Sequence, residues 1–213
     1  MGNRAIVKAF GKNIGVYLHW NGGRDSVEAF LEYCKLRGFR DFEDSYGMAR
    51  FCQVVGNFFG GTLSLGIETN VYMDERCSPG DNGIYEVKGW EIVERCDAPG
   101  FEQNEHDRLE MLVDIDKSQP ESERLGEKFF EAEVVDRDEI KVGDIVFVPD
   151  TLSGGFAECC VIGIGENDKR VNGHFVTGLP YVGKYGGGLC AVEDNINNYL
   201  QNRKYRVIKV KEG

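Results

Sequence analysis

Residues 14–34 read IGVYLHWNGGRDSVEAFLEYC, and a change of rhythm inside this stretch decides the fold. Ile14, Val16, Tyr17 and Leu18 form a β-rich apolar run that ends at His19-Trp20, and Asn21-Gly22-Gly23 follows as a tight turn. Beyond it Val27, Phe30, Leu31 and Cys34 fall at i, i+3, i+4 and i+7, the single apolar stripe of an amphipathic helix. The spacing predicts a strand, a turn and a helix. Asp25 and Glu28 have the separation of a capping box, and the two glycines are expected at positive φ. The first amides of such a helix have no partner within the helix, which makes the junction a candidate for holding a small polar or anionic ligand.

The side chains of the junction refine that expectation. His19 and Trp20 are placed to stack on a planar ligand such as a nucleotide base, with Arg24 receiving anionic groups and Asn21 and Asp25 completing a ligand-binding set. The competing structural reading has Trp20 covering the edge of the core and His19 bonded to the turn.

Outward from this unit, residues 4–10 read as a first strand joined to the second by Gly11-Lys12-Asn13, a hairpin. Gly38 stops the first helix. Asp44-Ser45-Tyr46 opens a second, in which Met48, Phe51, Cys52, Val55, Phe58 and Phe59 form one stripe, and Gly60-Gly61 ends it. Alternation then returns in Leu63, Leu65, Ile67 and Val71-Tyr72-Met73, and again over residues 84–95 with Lys88-Gly89 as the expected hairpin turn. These strands are expected to extend the N-terminal sheet, giving a mixed or antiparallel sheet with two packed helices. Residues 104–116 carry Leu109, Leu112, Val113 and Asp116 at helical spacing, and the Ser118-Gln119-Pro120 break starts a linker. Residues 129–135, 140–148 and 156–164 look like strands, with Lys141-Val142-Gly143-Asp144 as the turn into the second of them. With a last strand over 205–210 this pattern resembles a small SH3-like β-barrel, and residues 194–201 fit one helical turn before it. The expected organisation is an α+β domain over 1–117, a linker over 118–128 and a barrel-like domain over 129–213.

Charge is unevenly distributed along the chain. Of its net −11, residues 1–90 hold 10 basic and 11 acidic side chains, net −1. Residues 91–150 hold 7 and 19, net −12, and residues 151–213 hold 8 and 6, net +2. This balance argues against nonspecific nucleic-acid binding, and the basic residues Arg203, Lys204, Arg206, Lys209 and Lys211 in a terminal strand read as a solvated face. An acidic middle suits a basic partner surface. The first ten residues lack the apolar core of a signal peptide, and no apolar run approaches the roughly 20 residues needed to cross a bilayer, so a soluble cytoplasmic protein is expected.

Enzyme chemistry has few anchors. Seven cysteines with no C-x-x-C pair indicate a reduced compartment, and Cys34 and Cys52 read as small apolar residues of helix faces. Cys159-Cys160, adjacent in a strand, would point to opposite faces. His19, His106 and His174 are far apart, so no metal site is expected, and Glu110, Asp114 and Asp116 read as a solvated helix face rather than a chelate. The glycine-rich loop over 182–189 lacks the order of a phosphate-binding loop, and no cofactor is implied. The alternative catalytic pair is Cys190, after three glycines, with His174 as base.

The start, a hairpin followed by Val16-Tyr17-Leu18-His19-Trp20-Asn21-Gly22 and a helix, resembles uncharacterised proteins of bacteriophages and other mobile elements that share a strand, His-Trp-Asp/Asn-Gly, helix beginning. The likeness covers residues 4–34; Asn21 stands where Asp is common and Gly23 where an aromatic often follows. It implies a phage or prophage origin and brings no known activity. The function expected is therefore a noncatalytic accessory protein that binds a host protein or a small ligand, in the role of countering host defence. The alternatives are a nucleotide or small-molecule binder built on residues 19–28 and a cysteine-dependent hydrolase. Nothing in the sequence sets an oligomeric state.

Overall fold

The computed structural model of the 213-residue chain describes residues 2–61, 64–69, 79–98, 100, 102–136, 139–149, 156–161, 168–171, 174–177, 179–183, 186–190 and 204–208. The chain forms two compact units, Met1–Arg124 and Leu125–Gly213, and the break falls inside the 118–128 stretch. The start of that stretch is not a free tether. Gln119 is buried, donates to the main-chain oxygens of Val54 (3.2 Å) and Ile115 (2.9 Å), and accepts from Asn57 (2.9 Å).

The first unit is α+β, with the expected sheet and helices. Its five strands are β1 (Ala5–Ala9), β2 (Ile14–Leu18), β3 (Leu65–Thr69), β4 (Ile84–Lys88) and β5 (Glu91–Cys96), in the order β3-β2-β1-β4-β5. β1 and β4 run parallel and the other neighbours antiparallel, so the sheet is mixed. Helices α1 (Arg24–Leu36), α2 (Ser45–Phe59) and α3 (Arg108–Ser118) pack on one another, with α1 against β5 and α2 against β3. Cross-strand partners share a face, which puts Val7, Val16, Tyr85 and Ile67 together on the helix side. Phe30, Phe42 and Phe51 are fully buried there, with Phe30 and Phe51 edge-to-face at 6.3 Å and Phe42 and Phe51 at 5.1 Å. Each such ring contributes about 1.5–3 kcal/mol by leaving water. On the other face Lys8 and Glu86 are register partners and form a buried 2.8 Å ion pair.

Local details depart from expectation for physical reasons. The β4–β5 turn is Gly89-Trp90 rather than Lys88-Gly89, because Lys88 pairs with Glu91; Gly89 takes the positive φ (62°), and Trp90 is buried with its indole N–H on the Phe39 carbonyl. α3 begins at Arg108, after Asp107, whose carboxylate accepts from the Leu109 and Glu110 amides. Its buried stripe is Met111, Leu112, Ile115 and Asp116, leaving Leu109 exposed. Asp116 is thus not solvated: it accepts the Tyr33 hydroxyl at 2.8 Å. The Val71-Tyr72-Met73 strand and the helical turn over 194–201 lie outside the described residues, as do Arg203, Lys209 and Lys211.

In the second unit the helix α4 (Glu127–Glu131) stands where a strand starting at Phe129 was expected, with Phe129 buried against the Phe130 and Phe147 rings. The strands are β6 (Glu133–Asp136), β7 (Ile145–Pro149), β8 (Phe156–Val161), β9 (Asp168–Val171), β10 (His174–Thr177), β11 (Leu179–Gly183), β12 (Gly186–Cys190) and β13 (Lys204–Ile208). Lys141-Val142-Gly143-Asp144 does turn the chain into β7: Asp144 accepts the Lys141 amide and Gly143 has φ 95°. Six strands pair antiparallel in the order β12-β11-β8-β7-β13-β6, and β9 and β10 form a separate ribbon. The expected SH3-like barrel is corrected by this order. Among the described residues β12 and β6 are edges that do not pair, so the sheet is open. Within the glycine-rich stretch Val182 and Gly183 of β11 pair with Gly187 and Gly186 of β12, so Gly186, Gly187 and Gly188 lie in strand register where a loop was expected.

Candidate functional site

The strand-turn-helix junction forms as expected, and its amides are bonded from within the protein. α1 begins at Arg24 after Gly23, which has φ −63°, so the expected capping box and positive-φ glycines do not occur; Asn21 takes the left-handed conformation instead (φ 53°). The glycines serve close approach. A Cβ on Gly22 would lie 2.6 Å from the Ala5 nitrogen, and one on Gly23 2.2 Å from the Gln103 oxygen. The segment 102–106 therefore lies directly against the start of α1. Asn104 accepts the Asp25 amide at 3.2 Å, and Asp25 accepts the Ser26 amide (2.7 Å) while its second oxygen binds the Glu105 and His106 amides (2.7 and 2.6 Å). Arg24 holds Glu102 at 2.7 Å and lies over the Tyr85 ring, and Arg108 bridges Glu28 and Glu32. An anion at this helix end would have to displace Asn104 and Asp25.

Of the five junction residues singled out from the sequence, Asn21, Arg24 and Asp25 are engaged in these contacts, Asn21 with the His106 ring at 3.0 Å. His19 packs edge-on to Trp20 at 4.8 Å and hydrogen-bonds the Tyr17 hydroxyl at 3.1 Å. Trp20 is 43% exposed. Among the described residues three buried side-chain polar atoms have no hydrogen-bond partner, the Ser26 and Tyr85 hydroxyl oxygens and Nη2 of Arg95, each a cost of about 1–3 kcal/mol. Burial, and after it the Glu102 charge, raises the Tyr85 pKa.

A cavity opens at the other helix start. About 390 Å³ lies beside the first turns of α2, walled by Ile14, Met48, Ala49, Cys52 and Ile67, with Lys12, Glu43, Asp44 and Ser45 at its mouth. The wall forms because α2 presents 45, 48, 49 and 52 on one stripe over the outer end of the β2–β3 pair, where β3 is the edge strand among the described residues and Ile67 is 53% exposed. Asp44 caps this helix by accepting the Tyr46 amide at 2.8 Å. The Cys52 thiol is pushed up to about 11 by burial and Cys34, fully buried, also lies above its ordinary value, so neither is a thiolate at neutral pH. Sequence reasoning missed this site because its lining comes from three separate segments, 12–14, 43–52 and Ile67.

Outside these regions, His174 opens β10 in the two-stranded ribbon, whereas Cys190 ends β12 in the six-stranded sheet opposite Leu179. Glu105, Glu110 and Asp114 are exposed on the segment that carries Leu109, itself 55% exposed, and none of the three has an ion-pair partner among the described residues. Among the described residues no group of three metal-ligating side chains occurs, and no helix is long and apolar enough to cross a membrane. No protein-family model matches the chain, and neither a curated protein nor a solved structure matches it significantly.

Proposed function

We propose that the chain is a noncatalytic accessory protein, of phage or mobile-element origin, that docks on a basic surface of a host protein through the outer face of α3. The observation that carries this reading is Leu109, 55% exposed, on a segment that also exposes Glu105, Glu110 and Asp114, none of them in an ion pair among the described residues. An exposed apolar side chain on an acidic segment combines an anchor with electrostatic steering. Of the acids nearby, Glu102 is held by Arg24, Glu28 and Glu32 of α1 by Arg108, Asp116 takes the Tyr33 hydroxyl, and Asp107 caps α3. The mobile-element origin rests on the likeness of residues 4–34 alone.

The test is affinity capture from a bacterial host extract with the wild-type chain and with the double variant Glu110→Lys/Asp114→Lys. A specific partner should be held at low salt, released steeply as salt rises, and lost with the double variant and with Leu109→Asp. Capture that is indifferent to salt and to all three substitutions would remove this reading.

A further inference from the structure

We infer that Trp20 belongs to the surface that takes the basic partner, and that the partner meets it with an arginine stacked on the indole. The inference rests on the docking proposed for the acidic α3 segment and names the side chain that such a partner must present. Elsewhere in the first unit the chain sets its own cations over its accessible rings. Lys88 Nζ lies 5.6 Å from the centre of the exposed Phe10 ring, Arg40 lies 5.1 Å from that of the exposed Tyr46, and Arg37 and Arg50 each lie 5.7 Å from that of the half-buried Phe39. Trp20 differs: it is 43% exposed, His19 stands edge-on to it at 4.8 Å, and among the described residues no Lys or Arg lies over its ring. Indole is the aromatic face that attracts a cation most strongly.

The charge beside this ring favours a cation from outside the chain. Asn21, the next residue, bonds the His106 ring at 3.0 Å, which sets the Trp20 turn against the segment carrying Glu105 and Asp107. Residues 102–116 hold six carboxylates and one arginine, and the facing side of α1 adds Asp25, Glu28 and Glu32. Bonds to neutral amides leave the Asp25 and Asp107 charges in place. Nine carboxylates therefore stand against three arginines, Arg24, Arg95 and Arg108, and the excess is negative however the pairs are drawn. A guanidinium can lie flat on indole while its N–H groups reach a neighbouring carboxylate, whereas an ammonium is a compact point charge without that planar fork. The occupant that meets both demands is an arginine of a basic protein segment.

Two fluorescein-labelled octapeptides, one alternating arginine with glycine and the other lysine with glycine, are titrated with the full chain at low salt and read by anisotropy. The arginine peptide should bind about two- to fivefold more tightly than the lysine peptide, the range expected of one exposed cation–π contact. Trp20→Ala should remove that preference, Trp20→Phe should keep part of it, and Tyr46→Ala, at an exposed ring that already carries Arg40, should leave it unchanged. Circular-dichroism melts verify that the variants fold. Equal binding of the two peptides, or an arginine preference that survives Trp20→Ala, overturns the stacked arginine. Failure of the α3 reading has a different signature. Binding of both peptides that is lost with Glu110→Lys/Asp114→Lys but indifferent to Trp20→Ala keeps the α3 face and removes Trp20, whereas an arginine preference that needs Trp20 and ignores the double variant keeps Trp20 and removes the α3 face.

Discussion

The starts of α1 and α2 differ in how the same problem is solved. Both helices follow a turn, and both begin with amides that need acceptors from outside the helix. At α1 the acceptors are Asn104 and Asp25, and the segment carrying Asn104 lies so close that Gly23 has no room for a Cβ. At α2 the acceptor is the neighbouring Asp44, the solution is complete within three residues, and a cavity is left beside it. A helix start closed by a distant segment has no space for a ligand, whereas one closed locally leaves its flank open.

The largest expected effect follows from the buried groups on the α1 side. Burial, reinforced by Asp116, raises the Tyr33 pKa, and burial raises that of Cys34. A group raised in the folded state adds stability that is complete below its unfolded pKa and is lost as pH rises toward the folded one. With unfolded values of about 8.5 for a thiol and 10 for tyrosine, stability should hold to about pH 8 and then fall steeply. Urea midpoints across pH 7–11 measure this, and Tyr33→Phe should flatten the decline above pH 10 while costing about 1–3 kcal/mol at neutral pH. A flat profile would mean that α1 is not packed as described.

Next in size is Asp25→Ala, which takes the acceptor from three amides, those of Ser26, Glu105 and His106. Hydrogen bonds to a carboxylate contribute about 1.5–3 kcal/mol each when shielded, and partial exposure here brings the expected total to about 2–3 kcal/mol. Amide exchange at Glu105 and His106 should accelerate with it. If exchange there is unchanged, the segment is held by something other than Asp25, and the contrast between the two helix starts loses its cause.

What the sequence made legible is what is locally encoded. The rhythm of residues 14–34, the Asp44 cap and the αL end of α2 at Gly60 (φ 64°) are each written within a few positions. The closure of α1 by residues 102–106 depends on a contact nearly eighty positions away, and so reads in sequence as an open junction. The same distance hid the parallel pairing of β1 with β4 and the burial of Asp116 under Tyr33. In α3 a choice between two stripes, one containing Leu109 and one Met111, was open to periodicity alone, and packing against α1 and α2 selects the second. The cavity had no single local signal, since Lys12, the 43–52 segment and Ile67 are far apart in sequence.

A smaller effect is expected at the locally closed start. Asp44→Ala removes one cap acceptor and should cost about 1 kcal/mol, with Asp44→Asn or Asp44→Ser recovering most of it. The loss should be less than half that of Asp25→Ala, because only the Tyr46 amide is released. Equal losses would place the two helix starts in the same class.

The last comparison, whose smaller half is the smallest change expected, carries the sharpest sign. Glycine to alanine is unfavourable at Gly23, where the new Cβ would meet the Gln103 main chain at 2.2 Å and the segment must shift, a cost of about 1–3 kcal/mol. At Gly56, inside α2, the same Cβ meets nothing within 4 Å and the backbone is helical, so the substitution removes unfolded-state freedom and adds about 0.5–1 kcal/mol of stability. The pair compares one chemical change at a close approach and at an open helix surface, read as opposite shifts of the urea midpoint at unchanged slope. Should Gly23→Ala be neutral, the 102–106 segment does not rest on α1 as tightly as the distances state, and the junction regains the room for a ligand that the structure denies it.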